Sequence, residues 1–120
     1  MKILCNKTHG VLDYVTVIAF ALIPTVFGLS GMPMYLSYTL AVVHFLMTAL
    51  TRFEFGIVKV LPLKFHKWVE MAVGPVLLVI SWVLGFSDDI KARTIFMVAG
   101  VVIILVGLFS QYNEPITPKS

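Results

Sequence analysis

Charge and cysteine are both scarce in this sequence, and each shortage narrows what the chain can be. Only 12% of its 120 residues are charged, where a soluble domain carries about 25%. A chain this size with so few charges would expose large apolar patches in water and aggregate. The single cysteine, Cys5, excludes an intrachain disulfide and any C-x-x-C redox or zinc site. Basic residues outnumber acidic ones by 9 to 6, yet they form no basic face interleaved with aromatics, so no nucleic-acid partner is expected. A nucleophile–base constellation is also missing, which argues against an enzyme.

Apolar residues take the place of charge. They make up 59% of the chain, with a mean hydropathy of +0.98, and lipid is the solvent that suits such a composition. A bilayer-crossing helix needs about 20 predominantly apolar residues. From Tyr14 to Thr51 there is no Asp, Glu, Lys or Arg, a stretch too long for one span and right for two. The turn between them is Gly28-Leu29-Ser30-Gly31-Met32-Pro33, with helix breakers at both ends.

Span one is therefore expected from about His9 to Leu29, and span two from about Met34 to Thr51. Asp13 lies in the first apolar run, which has no A-x-A-like cleavage site, so it reads as a retained span. The mixed segment 52–65, with Arg52, Glu54, Lys59 and Lys64, suits an interfacial loop, with or without a short surface helix. Span three is expected from about His66 to Phe86. The loop Asp88 to Arg93 leads into span four, Thr94 to about Tyr112, and the proline-containing tail 113–120 reads as flexible.

The fold class that follows is all-α, a four-transmembrane-helix bundle forming one membrane domain over residues 1–120. Its orientation comes from the Lys/Arg bias of the short loops. Lys2, Lys7, Arg52, Lys59, Lys64, Lys67 and Lys119 fall on one side, against Lys91 and Arg93 on the other. A multi-pass protein of the cell membrane, with both termini cytoplasmic, is expected.

Sliding the chain by 57 residues matches His9 to His66, Asp13 to Glu70, Ile23 to Ile80, Gly28 to Gly85 and Ser30 to Ser87. Each unit, about 9–53 and about 66–110, holds two spans and enters the membrane from the same side. The two helical hairpins would then form a parallel repeat about an axis along the bilayer normal.

The stretch Gly74-Pro75-Val76-Leu77-Leu78-Val79-Ile80-Ser81-Trp82-Val83-Leu84-Gly85-Phe86 resembles the signature of the SPW-repeat family of small bacterial membrane proteins. In that family Ser-Pro-Trp precedes Leu-Gly-Phe; here Ser81 is followed directly by Trp82. The first unit keeps Pro24 and Gly28 but lacks the serine and tryptophan. The resemblance implies a two-plus-two membrane fold and no assigned activity.

Ionisable groups inside spans are costly and usually face the bundle interior. That singles out His9, Asp13, His44, His66 and Glu70. His9 and Asp13 share a helix face at a spacing of four, as do His66 and Glu70, and a repeat axis would make the two pairs face each other. The plainer reading places Asp13 and Glu70 in the first turns of their helices. There the macrodipole favours negative charge, Arg52 or Lys67 could pair with them, and the histidines snorkel to water.

The sharper readings are a zinc or iron site, haem held by facing histidines, or a carboxylate–histidine proton relay. His44, whose repeat counterpart is Val101, reads as an interior histidine bonded to Tyr38, Ser37 or Thr48. Structural roles are expected for Pro24 and Gly74-Pro75 as loosened helix turns, and for Ser81, Trp82, Gly28 and Gly85 near the span ends. Small residues spaced by four (Ser37 and Ala41, Ser81 and Gly85) suggest close helix approach. Read together, these features describe a non-enzymatic accessory, structural or homo-oligomer-forming membrane protein. A cofactor-binding or ion-handling bundle is the alternative.

Overall fold

The computed structural model describes residues 6–52 and 55–110. Four helices occupy most of this: α1 (Asn6–Phe27), α2 (Met32–Ala49), α3 (Leu63–Val83) and α4 (Ile90–Phe109). Three of them, α1, α2 and α4, are long and apolar enough to cross a membrane. The remaining helix, α3, carries Lys64, Lys67 and Glu70 in its first half and a wholly uncharged second half. Cys5 and the tail 113–120 lie outside the described residues.

Helices begin earlier than hydropathy alone indicates, because their first turns are polar. The first described helical residue of α1 is Asn6, so Asp13 stands about two turns into the helix rather than in its first turn. Pro62, extended at φ −62° and ψ 144°, launches α3 at Leu63, which puts Glu70 two turns in as well. Asp89 caps α4 by accepting from the Ala92 N–H at 3.1 Å, drawing Lys91 and Arg93 into the helix instead of the loop. Pro33 falls in the first turn of α2, where its missing N–H costs nothing.

The two tight turns are built alike. After α1 the Leu29 N–H reaches back to Pro24 O at 2.9 Å, and after α3 the Phe86 N–H reaches Ser81 O at 2.8 Å. Such six-to-one closures need a left-handed residue, supplied by Gly28 (φ 67°) and Gly85 (φ 83°). The residue after each glycine, Leu29 or Phe86, is buried. This gives the Leu-Gly-Phe run a physical role as a helix stop with an apolar plug. Trp82 is half exposed, with the Arg93 guanidinium 5.7 Å from its ring centroid.

Packing is chiefly α1 against α2 and α3 against α4. In the second hairpin the backbones meet at Gly74 and Gly100, where a Cβ on Gly100 would lie 2.7 Å from Gly74 O. In the first, the buried Ser37 hydroxyl donates to Phe20 O at 2.7 Å. Phe20, Ala41, Leu77, Phe96 and Ile103 contribute to the apolar core.

The outside is more apolar than the inside is. Val11, Val15, Ile18, Leu22 and Val26 form an exposed stripe along α1, and α2 and α4 carry similar ones. Meanwhile His9, Asp13, Ser37, Thr48, His66, Glu70 and Ser81 are buried. Lipid makes that arrangement favourable: acyl chains cover the stripes, while His9, Asp13, Ser37, His66 and Glu70 find partners within the bundle.

The segment between α2 and α3 contains no helix of its own among its described residues. It folds back on the end of α2, with the Ile57 N–H bonded to Ala49 O at 2.6 Å and the Arg52 N–H to Leu61 O at 2.9 Å. The Ala49, Leu50 and Leu61 backbone groups hold it instead.

Candidate metal centre between the two hairpins

A helix places residues four apart on one face, so His9 and Asp13 project together from α1, and His66 and Glu70 from α3. Both faces point inward, and the four side chains interleave. His9 Nε2 lies 3.2 Å from Asp13 Oδ2 on its own helix and 3.1 Å from Glu70 Oε1 across the bundle. His66 Nε2 lies 2.7 Å from Glu70 Oε2 and 3.1 Å from Asp13 Oδ2. One ligand atom from each of the four can be chosen so that all lie within 4.8 Å of one another. All four residues are at most 6% exposed.

Asp13 and Glu70 therefore meet buried histidines rather than the headgroup level, and His9 and His66 do not snorkel to water. The physical reason is that Asp13 and Glu70 stand two turns into their helices, and all four side chains lie on faces covered by the other hairpin. Arg52 is exposed.

His44 of α2 stands beside the four. Its Nε2 is 3.4 Å from Asp13 Oδ1 and 3.9 Å from Glu70 Oε2. Asp13 is thus its hydrogen-bond partner in place of the Tyr38, Ser37 or Thr48 expected from sequence. Ser37 is committed to Phe20 O.

Two hydroxyls complete the arrangement, and sequence reasoning missed both. Ser110 Oγ stands 2.6 Å from His9 Nδ1, and Thr51 Oγ1 stands 2.8 Å from His66 Nδ1. Each hydroxyl also donates to a carbonyl one turn back, Ser110 to Val106 O and Thr51 to Met47 O. Having spent its proton there, each oxygen must accept from the imidazole. Both rings therefore carry hydrogen on Nδ1 and aim Nε2 at the carboxylates, which is how ligating histidines are oriented. No sequence signal marks these hydroxyls, because they come from the far ends of α2 and α4. They are also 59 residues apart, so the 57-residue match does not pair them.

Facing lone pairs on nitrogen and oxygen need a proton or a cation between them. With metal–nitrogen bonds of about 2.0–2.1 Å, neighbouring donors of a tetrahedral ion stand about 3.3 Å apart. The four nitrogen–oxygen separations, 2.7 to 3.2 Å, lie close to that value, while the widest donor pair, within 4.8 Å, must draw in around an ion. Asp13 Oδ2 is buried and makes no hydrogen bond despite two close ring nitrogens, leaving its lone pairs open. Haem does not fit: Asp13 and Glu70 fill the space between the rings, and the cavities beside them are about 30 and 20 Å³.

The fold and this cluster define a small helical membrane protein with a buried histidine–carboxylate centre joining its two hairpins. A family model described as the SPW repeat domain matches residues 7–110, and the chain belongs to that family. No curated protein and no solved structure is similar enough to match.

Proposed function

We propose that the protein is a four-span membrane protein that holds one divalent first-row transition metal, zinc or iron, between two duplicated hairpins. His9, Asp13, His66 and Glu70 are the ligands, and both termini face the cytoplasm. The observation that carries this reading is the convergence of four buried donors from two separate hairpins. Imidazole and carboxylate together suit such ions. A dication also balances the two carboxylates with all histidines neutral, and a neutral cluster is the least costly one to bury in lipid.

His44 supports the site by bonding the second oxygen of Asp13. Thr51 and Ser110 orient the rings. Support for four spans comes from the uncharged second half of α3 beside three apolar helices. The Lys/Arg bias of the connecting segments supports the orientation.

The test is elemental analysis of protein purified in detergent, followed by removal of metal with a chelator and reloading with zinc, iron or cobalt. About one ion per chain is expected, with cobalt giving the visible absorption of a low-symmetry site. The His9→Ala/His66→Ala double variant should lose the ion and part of its thermal stability. Protein that takes up none of these ions, with a double variant as stable as the wild type, overturns the proposal and leaves an accessory or structural role.

A further inference from the structure

Thr51 orients His66, yet α2 does not hold Thr51. The helix ends at Ala49 with Leu50 as its cap, and beyond it the Thr51 N–H keeps only a long bond to Thr48 O at 3.3 Å. What fixes Thr51 is the returning segment 55–61. Its Ile57 and Val58 N–H groups donate to Ala49 O at 2.6 and 3.0 Å, and its Val60 and Leu61 N–H groups to Leu50 O at 3.0 and 2.7 Å. These are carbonyls that a helix end leaves without partners. Past Thr51, the Arg52 N–H donates to Leu61 O at 2.9 Å. Thr51 is thus framed by backbone bonds on both sides, and it is fully buried.

Two residues let the segment seat this closely. At Gly56 what matters is a missing side chain. A Cβ there would overlap the Thr51 carbonyl oxygen and stand 3.2 Å from its carbon. Both are backbone atoms, with no rotamer to turn aside. Gly56 is therefore needed for close approach rather than for a left-handed φ. The other residue is Tyr14, whose hydroxyl donates to Phe55 O at 2.7 Å. Tyr14 follows Asp13 on α1, so the segment is fastened to the helix of His9 and Asp13 while it supports His66 on α3.

We propose that the segment 55–61 is a clamp that holds the Thr51 hydroxyl as the acceptor for the His66 Nδ1–H, with Gly56 and Tyr14 as its positioning residues. A methyl group at position 56 pushes Thr51 away. A shift of about 0.8 Å stretches the 2.8 Å bond to about 3.6 Å, where it is no longer a hydrogen bond. The ring then loses the partner that keeps Nε2 aimed at Asp13 and Glu70. The consequence for metal affinity rests on the reading of the cluster as a metal centre; the hydrogen bond itself does not.

The experiment uses the full chain in detergent with isotope-labelled histidine, followed by nuclear magnetic resonance. The His66 signal is identified by its absence from His66→Ala. Its Nδ1–H should exchange slowly with water, in zinc-loaded and chelator-treated protein alike. Gly56→Ala should speed that exchange about tenfold and lower zinc affinity about 10–100-fold, and Tyr14→Phe should move both in the same direction by less. In a Thr51→Val background, Gly56→Ala should change zinc affinity by less than about twofold, because the contact it disturbs is already gone. Gly31→Ala is the control: Gly31 has φ 63° with open space about it, so this variant loses thermal stability and keeps both readouts. Equal exchange in the wild type and Gly56→Ala overturns the proposal. So does a loss of zinc affinity of the same size with and without the Thr51 hydroxyl. If Gly56→Ala does not fold, Tyr14→Phe decides: it adds no bulk, and unchanged exchange there overturns the clamp. A wild type that takes up no ion overturns the metal centre and leaves the exchange readout to judge the clamp.

Discussion

Replacing the Thr51 hydroxyl by a methyl group tests the proposed metal centre through a residue that is not itself one of the four proposed ligands. Thr51→Val keeps shape and volume, and removes only the oxygen that accepts from His66 Nδ1 at 2.8 Å and donates to Met47 O. Thr51 is fully buried and His66 is 2% exposed, so water cannot replace the lost partner. The imidazole then has two options. It can leave its Nδ1–H unpaired, at about 1–3 kcal/mol. Otherwise it moves the hydrogen to Nε2 and withdraws the lone pair that faces Asp13 and Glu70.

Either way the loss corresponds to about 10–100-fold in metal affinity, the usual effect of removing a partner that orients a ligating histidine. The assay is competition with a chromogenic chelator in detergent, with circular dichroism confirming unchanged helix content. Ser110→Ala should do the same through His9, while Thr51→Ser should restore most of the affinity. If Thr51→Val and Ser110→Ala both bind zinc and cobalt as tightly as the wild type, the hydroxyls do not orient ligands and the site has been misread.

Two other predictions concern the scaffold. Gly100→Ala places a methyl group 2.7 Å from Gly74 O, which forces α3 and α4 apart and should cost about 1–3 kcal/mol; an unchanged thermal midpoint in detergent would show that the crossing is looser than described. In a Cys5→Ser background, cysteines placed at Ser30 and Ser87 should react with an impermeant maleimide in intact cells, and one at Lys59 only after permeabilisation. The reverse pattern would invert the topology.

How much of this was legible beforehand differs between the scaffold and the site. Hydropathy and the glycines at 28 and 85 located the helices and turns, because both act over a few residues. Helix starts were misjudged by several residues, since capping by Asp89 and the polar first turns of α1 and α3 lie outside any apolar run. His9, Asp13, His66 and Glu70 were legible as candidates, being ionisable groups in apolar surroundings at helical spacing. Whether they face the bundle interior or pair at the headgroup level was not, because both readings explained the same residues.

By itself, then, the sequence determined a lipid-embedded, all-helical chain with two similar halves, since composition, hydrophobic run length and turn residues are local properties that no packing can alter. The tertiary structure alone decided what the halves do to each other. It decided that the inward faces interleave their donors and that Ser110 reaches His9 from the far end of the chain. It also decided that the Tyr14 hydroxyl of α1 meets Phe55 O beyond the end of α2. Those outcomes depend on how far apart and at what rotation the helices settle, which is fixed by side chains distant in sequence meeting in three dimensions.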